Sequence, residues 1–217
     1  MITRQHLTGF LMMHAGFRAE FGRLAEACRS PRDAEHGELL EEQLALVLEM
    51  LHAHHAHEDA DLWPRLAGRA PEAAAVLAEL ESEHAVLDPL VRAAGDRSVP
   101  LPDRAPTLLR LHEFVNEHLD HEERDAVPLM LRHLTLEDIE SDKRQAMGDF
   151  GRRRVPTIFG WLASSAEGEL LVASHAELPV VARFMFRRFW WPAYRRRFAR
   201  LYGADAPIAA DVFLESS

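Results

Sequence analysis

Apolar residues recur along the first two-thirds of the chain at intervals of three and four, the period of an amphipathic helix, with no run at the two-residue period of a half-buried strand. Leu7, Phe10, Leu11, His14, Phe17 and Phe21 form one stripe and predict a first helix from about Thr3 to Cys28. Ser30-Pro31 reads as a cap and first turn. It opens a second helix whose stripe of Leu40, Leu44, Val47, Met50 and Leu51 leads into His54 and stops at Gly68. Pro71 opens a third, carrying Val76, Leu77, Leu80, His84, Leu87 and Val91 to Gly95. Asp103 and Pro106 open a fourth, with Leu108, Leu111, Phe114, Val115 and His118 on its inner face, ending near His133. Thr135 and Asp138 have the spacing of a capping box for a short fifth helix. Four long amphipathic helices with short joints predict an all-α fold, an antiparallel up-down four-helix bundle over residues 1–149.

Beyond Phe150 the pattern changes. Val155 to Leu162 reads as a short apolar helix, and Leu178 to Tyr202 as helix with a break at Pro192, apolar nearly all round with Arg interleaved. Residues 1–149 have a net charge of −14, whereas residues 150–202 hold ten Arg against three Glu. The reading is a helical C-terminal extension, 150–217, packed on the acidic bundle or on a partner copy in a homodimer. Contact with a membrane surface and a lid over the bundle's interior are the other readings. A net charge of −10 over 217 residues argues against nucleic acid as a partner. The single cysteine, Cys28, excludes an internal disulfide and a four-cysteine zinc site, and is read as a buried structural thiol. No apolar run approaches the ~18 residues of a membrane span, and no leader cleavage site stands out, so the expected location is cytoplasmic.

The unusual feature is histidine: 13 in all, 12 of them at or before His133. They sit in an internal repeat. His54-His-Ala-His-Glu-Asp-Ala-Asp-Leu-Trp-Pro64 aligns with His118-Leu-Asp-His-Glu-Glu-Arg-Asp-Ala-Val-Pro128 at a constant offset of 64 residues. His54 and Glu58 are four apart and share a helix face, as do His118 and Glu122. On the first and third helices His14 and His84 stand where the apolar stripe should carry Leu or Phe. Counted from the joints, at ~1.5 Å per residue, these groups converge near one height of an up-down bundle. Four imidazoles and two carboxylates turned inward would each cost ~1–3 kcal/mol if left unpaired. Metal coordination removes that cost, and bundle cores are a known setting for carboxylate-bridged di-iron sites. Around this set, His57 and His121 are read as either solvated or supports for the ligands, and Asp61 and Asp125 as either imidazole-orienting or solvated. His55, Glu81 and Asp88 are candidates for additional ligands. His36 is placed on the surface.

These two modules, with lone histidines on the first and third helices, resemble the hemerythrin-like HHE cation-binding family over about residues 5–133. The resemblance implies a four-helix bundle holding two Fe ions in a non-haem di-iron centre, with His14, His54, Glu58, His84, His118 and Glu122 as ligands. Oxygen-carrying hemerythrins have a second histidine on the third helix, one turn from the first; here those positions are Leu80 and Asp88. The carriers also use an HxxxxD pair on the fourth helix, where this chain has HxxxE at Glu122. The resemblance therefore points away from reversible oxygen carriage and toward handling of O2, peroxide or nitric oxide in redox chemistry or sensing, with an oxidoreductase or peroxide-removing enzyme as one form. Iron storage or delivery, and a non-enzymatic redox or iron sensor signalling through the C-terminal extension, are the alternatives.

Overall fold

The structure, a computed structural model, describes residues 2–149, 151 and 153–208, and every regular element among them is helical. None of the helices is long and apolar enough to cross a membrane. The chain divides into two compact units, one built on Glu20–Leu134 and the other on Thr3–Ala19 together with the described residues from Thr135 onward.

The first unit holds the second half of α1 (Thr8–Ala27), then α2 (Ala34–His57), α3 (Trp63–Arg69), α4 (Ala74–Gly95), α5 (Leu101–His121) and α6 (Val127–His133). Its core is the apolar stripe read from sequence: Leu40, Leu44 and Leu51 of α2, Leu80 of α4, and Leu108 and Leu111 of α5 are all buried. The start of α2 differs from expectation, because Asp33, not Ser30, supplies the cap. The Asp33 carboxylate accepts from the His36 N–H at 2.8 Å, and the Arg32 N–H donates back to His36 Nδ1 at 3.1 Å. This reciprocal cap satisfies two donors that a helix start leaves open. It also buries His36, which the sequence had placed on the surface. Helix α5 begins at Leu101, with Pro102 in its first turn and Pro106 inside it. At the far end of α4, the buried Arg104 donates to the Ala94 carbonyl at 2.9 Å and pairs with Glu41. A terminal carbonyl is thereby satisfied by a cation.

Two joints in this unit are not breaks. Between α2 and α3 the backbone makes a π-turn, Glu58–Leu62, closed by the Trp63 N–H on the Glu58 carbonyl; between α5 and α6 it makes another, Glu122–Ala126, closed by Val127 on Glu122. The next residue in each case is proline, Pro64 and Pro128. Proline cannot donate, and its ring would strike the carbonyl one turn back. One extra residue in the turn moves that carbonyl aside, so the helix continues past the proline. Each π-turn starts at the glutamate of its repeat.

The second unit holds the first half of α1 with α7 (Leu136–Asp149), α8 (Val155–Ser165), α9 (Gly168–Glu177), α10 (Val180–Met185) and α11 (Trp191–Tyr202). The expected capping box opens α7: Asp138 Oδ2 accepts from the Thr135 N–H at 2.7 Å, and the Asp138 N–H donates to Thr135 Oγ1 at 3.3 Å. Helix α9 has no counterpart in the sequence reading. The break expected at Pro192 is instead a third π-turn, Phe186–Trp190, closed by Trp191 on Phe186. Pro64, Pro128 and Pro192 fall 64 residues apart, so one backbone device recurs three times. Two glycines allow close helix approach in this unit. Gly16 faces the Trp161 indole, which packs on Phe17 at 5.7 Å, and Gly160 lies against the Tyr194 side chain, where any Cβ would collide.

Candidate metal centre

Three helices of the first unit bring their polar groups together. The last turn of α2 and the π-turn after it carry His54, His55, Glu58 and Asp59. The middle of α4 carries Glu83 and His84. The end of α5 carries His118 and His121, and the following π-turn begins at Glu122. His84, His118, Glu58 and Glu122 are buried, and the His54 side chain is 9% exposed.

The outer nitrogens of two rings are held by carboxylates. His84 Nδ1 lies 2.7 Å from Asp59 Oδ1, and His118 Nδ1 lies 2.7 Å from Glu83 Oε2. A carboxylate only accepts, so each Nδ1 carries the proton and each Nε2 turns a lone pair inward. Those two Nε2 atoms are 3.2 Å apart. Burial lowers the His118 pKa below the ordinary value of 6.5, outweighing the carboxylates beside it, so the ring is neutral near neutral pH. Two imidazole lone pairs facing each other at that distance repel, and a cation between them converts the repulsion into attraction.

The carboxylates tell the same story. Glu58 Oε1 is 3.0 Å from His54 Nε2 while Oε2 is 3.6 Å from His84 Nε2. Glu122 Oε2 is 3.9 Å from His118 Nε2. Burial, then the neighbouring Glu122 and Asp59, hold the Glu58 carboxyl well above the usual carboxylate range. Two acids packed together in a dry interior ask for a positive partner. The donor atoms fall into two groups: those of His55, His84 and His118 lie within 4.8 Å of one another, and so do those of His54, Glu58 and Glu122. Imidazole and carboxylate donors without thiolate suit a first-row transition ion.

Five of the six ligand candidates, His54, Glu58, His84, His118 and Glu122, are therefore neighbours. The sixth, His14, is buried in the second unit, its ring 4.3 Å from Phe10. Glu81 and Asp88 are exposed, Asp88 facing Arg92 at 3.6 Å, and neither joins the cluster. Asp61 pairs with Arg65, and Asp125 lies 3.4 Å from His121 Nε2 and 2.7 Å from Arg124. The groups that orient the imidazoles are instead Asp59 and Glu83, which sequence reasoning passed over. Their only signal was adjacency to Glu58 and His84, shared with many other acids of this chain.

A helical bundle that gathers inward-facing imidazoles and carboxylates in this way defines a metal-cation-binding protein. The family comparison agrees: the Hemerythrin HHE cation binding domain matches residues 7–130. The chain belongs to that family, whose domains bind metal cations, typically iron. Searches of curated proteins and of solved structures returned no match.

Proposed function

We propose that this protein holds a non-haem di-iron centre and uses it to handle a small oxidant, O2, peroxide or nitric oxide, in redox chemistry or sensing. The observation that carries the reading is the position of Glu58, whose two oxygens face opposite ways, Oε1 to His54 and Oε2 to His84. A carboxylate placed between two donor groups suits a pair of ions better than one. His54, His84 and His118 would supply nitrogen, and Glu58 and Glu122 would supply oxygen and offset the cationic charge; His14 of α1 is the remaining ligand that the family resemblance implies. Asp59 and Glu83 hold the His84 and His118 rings in the tautomer that leaves Nε2 free to bind. Burial of these side chains excludes bulk water and strengthens each charge interaction inside. Iron bound there would supply one-electron redox chemistry toward a diatomic molecule or peroxide. The same burial favours a resident ion over a stored or delivered cargo.

The test is metal analysis with an optical spectrum on wild type, His84→Ala and Glu122→Ala, followed by peroxide and O2 consumption assays. Two irons per chain in wild type, reduced in both variants, is the expected result. Catalytic consumption identifies an enzyme; a spectral change without consumption identifies a sensor. A single zinc that both variants retain overturns the reading.

A further inference from the structure

Helix α10 reads Val-Val-Ala-Arg-Phe-Met and buries none of its residues, although only one of them is polar. Val181, Val180 and Phe184 are the most exposed large apolar side chains among the described residues, at 74%, 72% and 61%, and Phe189 in the following π-turn is 50% exposed. The next helix behaves in the ordinary way: α11 buries Trp191, Tyr194, Phe198 and Leu201 on one face.

The four exposed side chains form one patch. Val180, Val181 and Phe184 share one side of α10. Phe189 is five residues beyond Phe184, which on a regular α-helix would turn it ~140° away. The π-turn Phe186–Trp190 takes up one residue, and the Phe189 ring instead meets Phe184 edge-on at 6.3 Å. Arg188 lies over the Phe189 ring at 5.5 Å, and Arg187 is exposed.

We propose that this patch docks the protein on a bilayer surface containing anionic lipids, with α10 lying along the boundary between headgroups and acyl chains. From Leu178 to Tyr202 the chain has seven Arg and no acid. Exposed Val and Phe set among arginines fit a surface that offers negative charge and apolar depth in the same place. The Val and Phe side chains enter the acyl region, and the Arg stems follow them while their guanidinium groups stay at the phosphates. A six-residue helix cannot cross a bilayer, so the contact lies along one face of it. A second copy of this chain is the competing occupant, because residues 1–149 are acidic. That surface supplies charge without an apolar counterpart: among the described residues of the first unit, only Val86 of α4 and Leu109 of α5 are large apolar side chains left exposed. The proposal is independent of the metal centre, and its failure leaves the di-iron reading intact.

The full chain is floated with vesicles of phosphatidylcholine alone and of phosphatidylcholine mixed with phosphatidylserine, at low and high salt. Its mass in solution is measured by light scattering. The proteins are wild type, Phe184→Ser/Phe189→Ser, Arg187→Gln/Arg188→Gln and the control Leu109→Ser, an exposed apolar residue elsewhere. Circular dichroism checks each fold, and the arginine pair decides if the phenylalanine pair does not fold. Wild type and the control should float with the anionic vesicles, less at high salt, and stay behind with the neutral ones. Loss of both Phe should weaken partition at least ~10-fold, and loss of the arginines ~5-fold for each one removed. Wild type that binds neither vesicle or both equally, or a folded double variant that floats as wild type does, overturns the proposal. A dimer in solution that the Phe184→Ser/Phe189→Ser variant dissociates assigns the patch to a second copy and overturns it too.

Discussion

Glu83 is the most informative residue to change, because one carboxylate holds two rings. Its side chain is 28% exposed; Oε2 accepts from His118 Nδ1 and Oε1 from His121 Nδ1, both at 2.7 Å. Glu83→Ala removes both acceptors. The His118 side chain is fully buried in the wild type, so loss of its acceptor should cost ~1–3 kcal/mol of metal-free stability. The His121 side chain is 16% exposed and has Asp125 3.4 Å from its other nitrogen, so its share is small. With iron the effect is larger in kind: a ligand ring freed to rotate or change tautomer typically weakens binding ~10–100-fold, or ~1.4–2.8 kcal/mol. Glu83→Gln keeps one carbonyl acceptor for two N–H groups and should fall between wild type and the alanine variant. Glu81→Ala, two residues away and exposed, should change stability by no more than ~0.5 kcal/mol. The assays are anaerobic competition for Fe(II) against a chelator and urea unfolding of the metal-free protein. If Glu83→Ala binds iron within about threefold of wild type, ~0.6 kcal/mol, the tautomer argument is refuted.

Other outcomes follow from the same geometry. The folded-state pKa of Glu58 is raised, so its contribution to metal-free stability is full below its ordinary value of 4.5 and is lost as pH rises through the raised value. The His118 pKa is lowered, so its contribution is present above 6.5 and is lost as pH falls. Urea midpoints of metal-free wild type, Glu58→Gln and His118→Gln across pH should show these opposite slopes disappearing one at a time. Metal binding favours the ionised Glu58 carboxylate against its upward pKa shift, so Fe(II) affinity should rise with pH more steeply in wild type than in Glu58→Gln, as measured by chelator competition. Burial pushes the Cys28 thiol up to about 12, so a disulfide reagent at pH 8 should label it only after unfolding; prompt labelling of native protein contradicts the assignment. Gly160→Ala sets a Cβ into the Tyr194 side chain and should cost ~1–3 kcal/mol by overpacking, seen as a lower melting temperature.

Much of this protein is already legible in its sequence. The period of apolar residues marked the four longest helices among the described residues, because burial of one face imposes that period whatever the neighbours are. The capping box at Thr135 was readable because its partners are three residues apart. The pairs His54/Glu58 and His118/Glu122 were readable because four residues is one turn, and the 64-residue repeat showed that two helices share a design. Tertiary structure decided the rest. Spacing along one helix gives the angle between His54 and His55 but not which of them meets α4; that depends on how α2 is rotated in the unit. Asp59 and Glu83 find their imidazoles across helices, 25 and 35 residues away in sequence, which local pattern cannot encode. The trailing prolines were visible, but only the folded backbone shows that a π-turn absorbs each one and sets a glutamate at its start. Local rules fix what a single helix does, and the chemistry of this site lies in the register between helices.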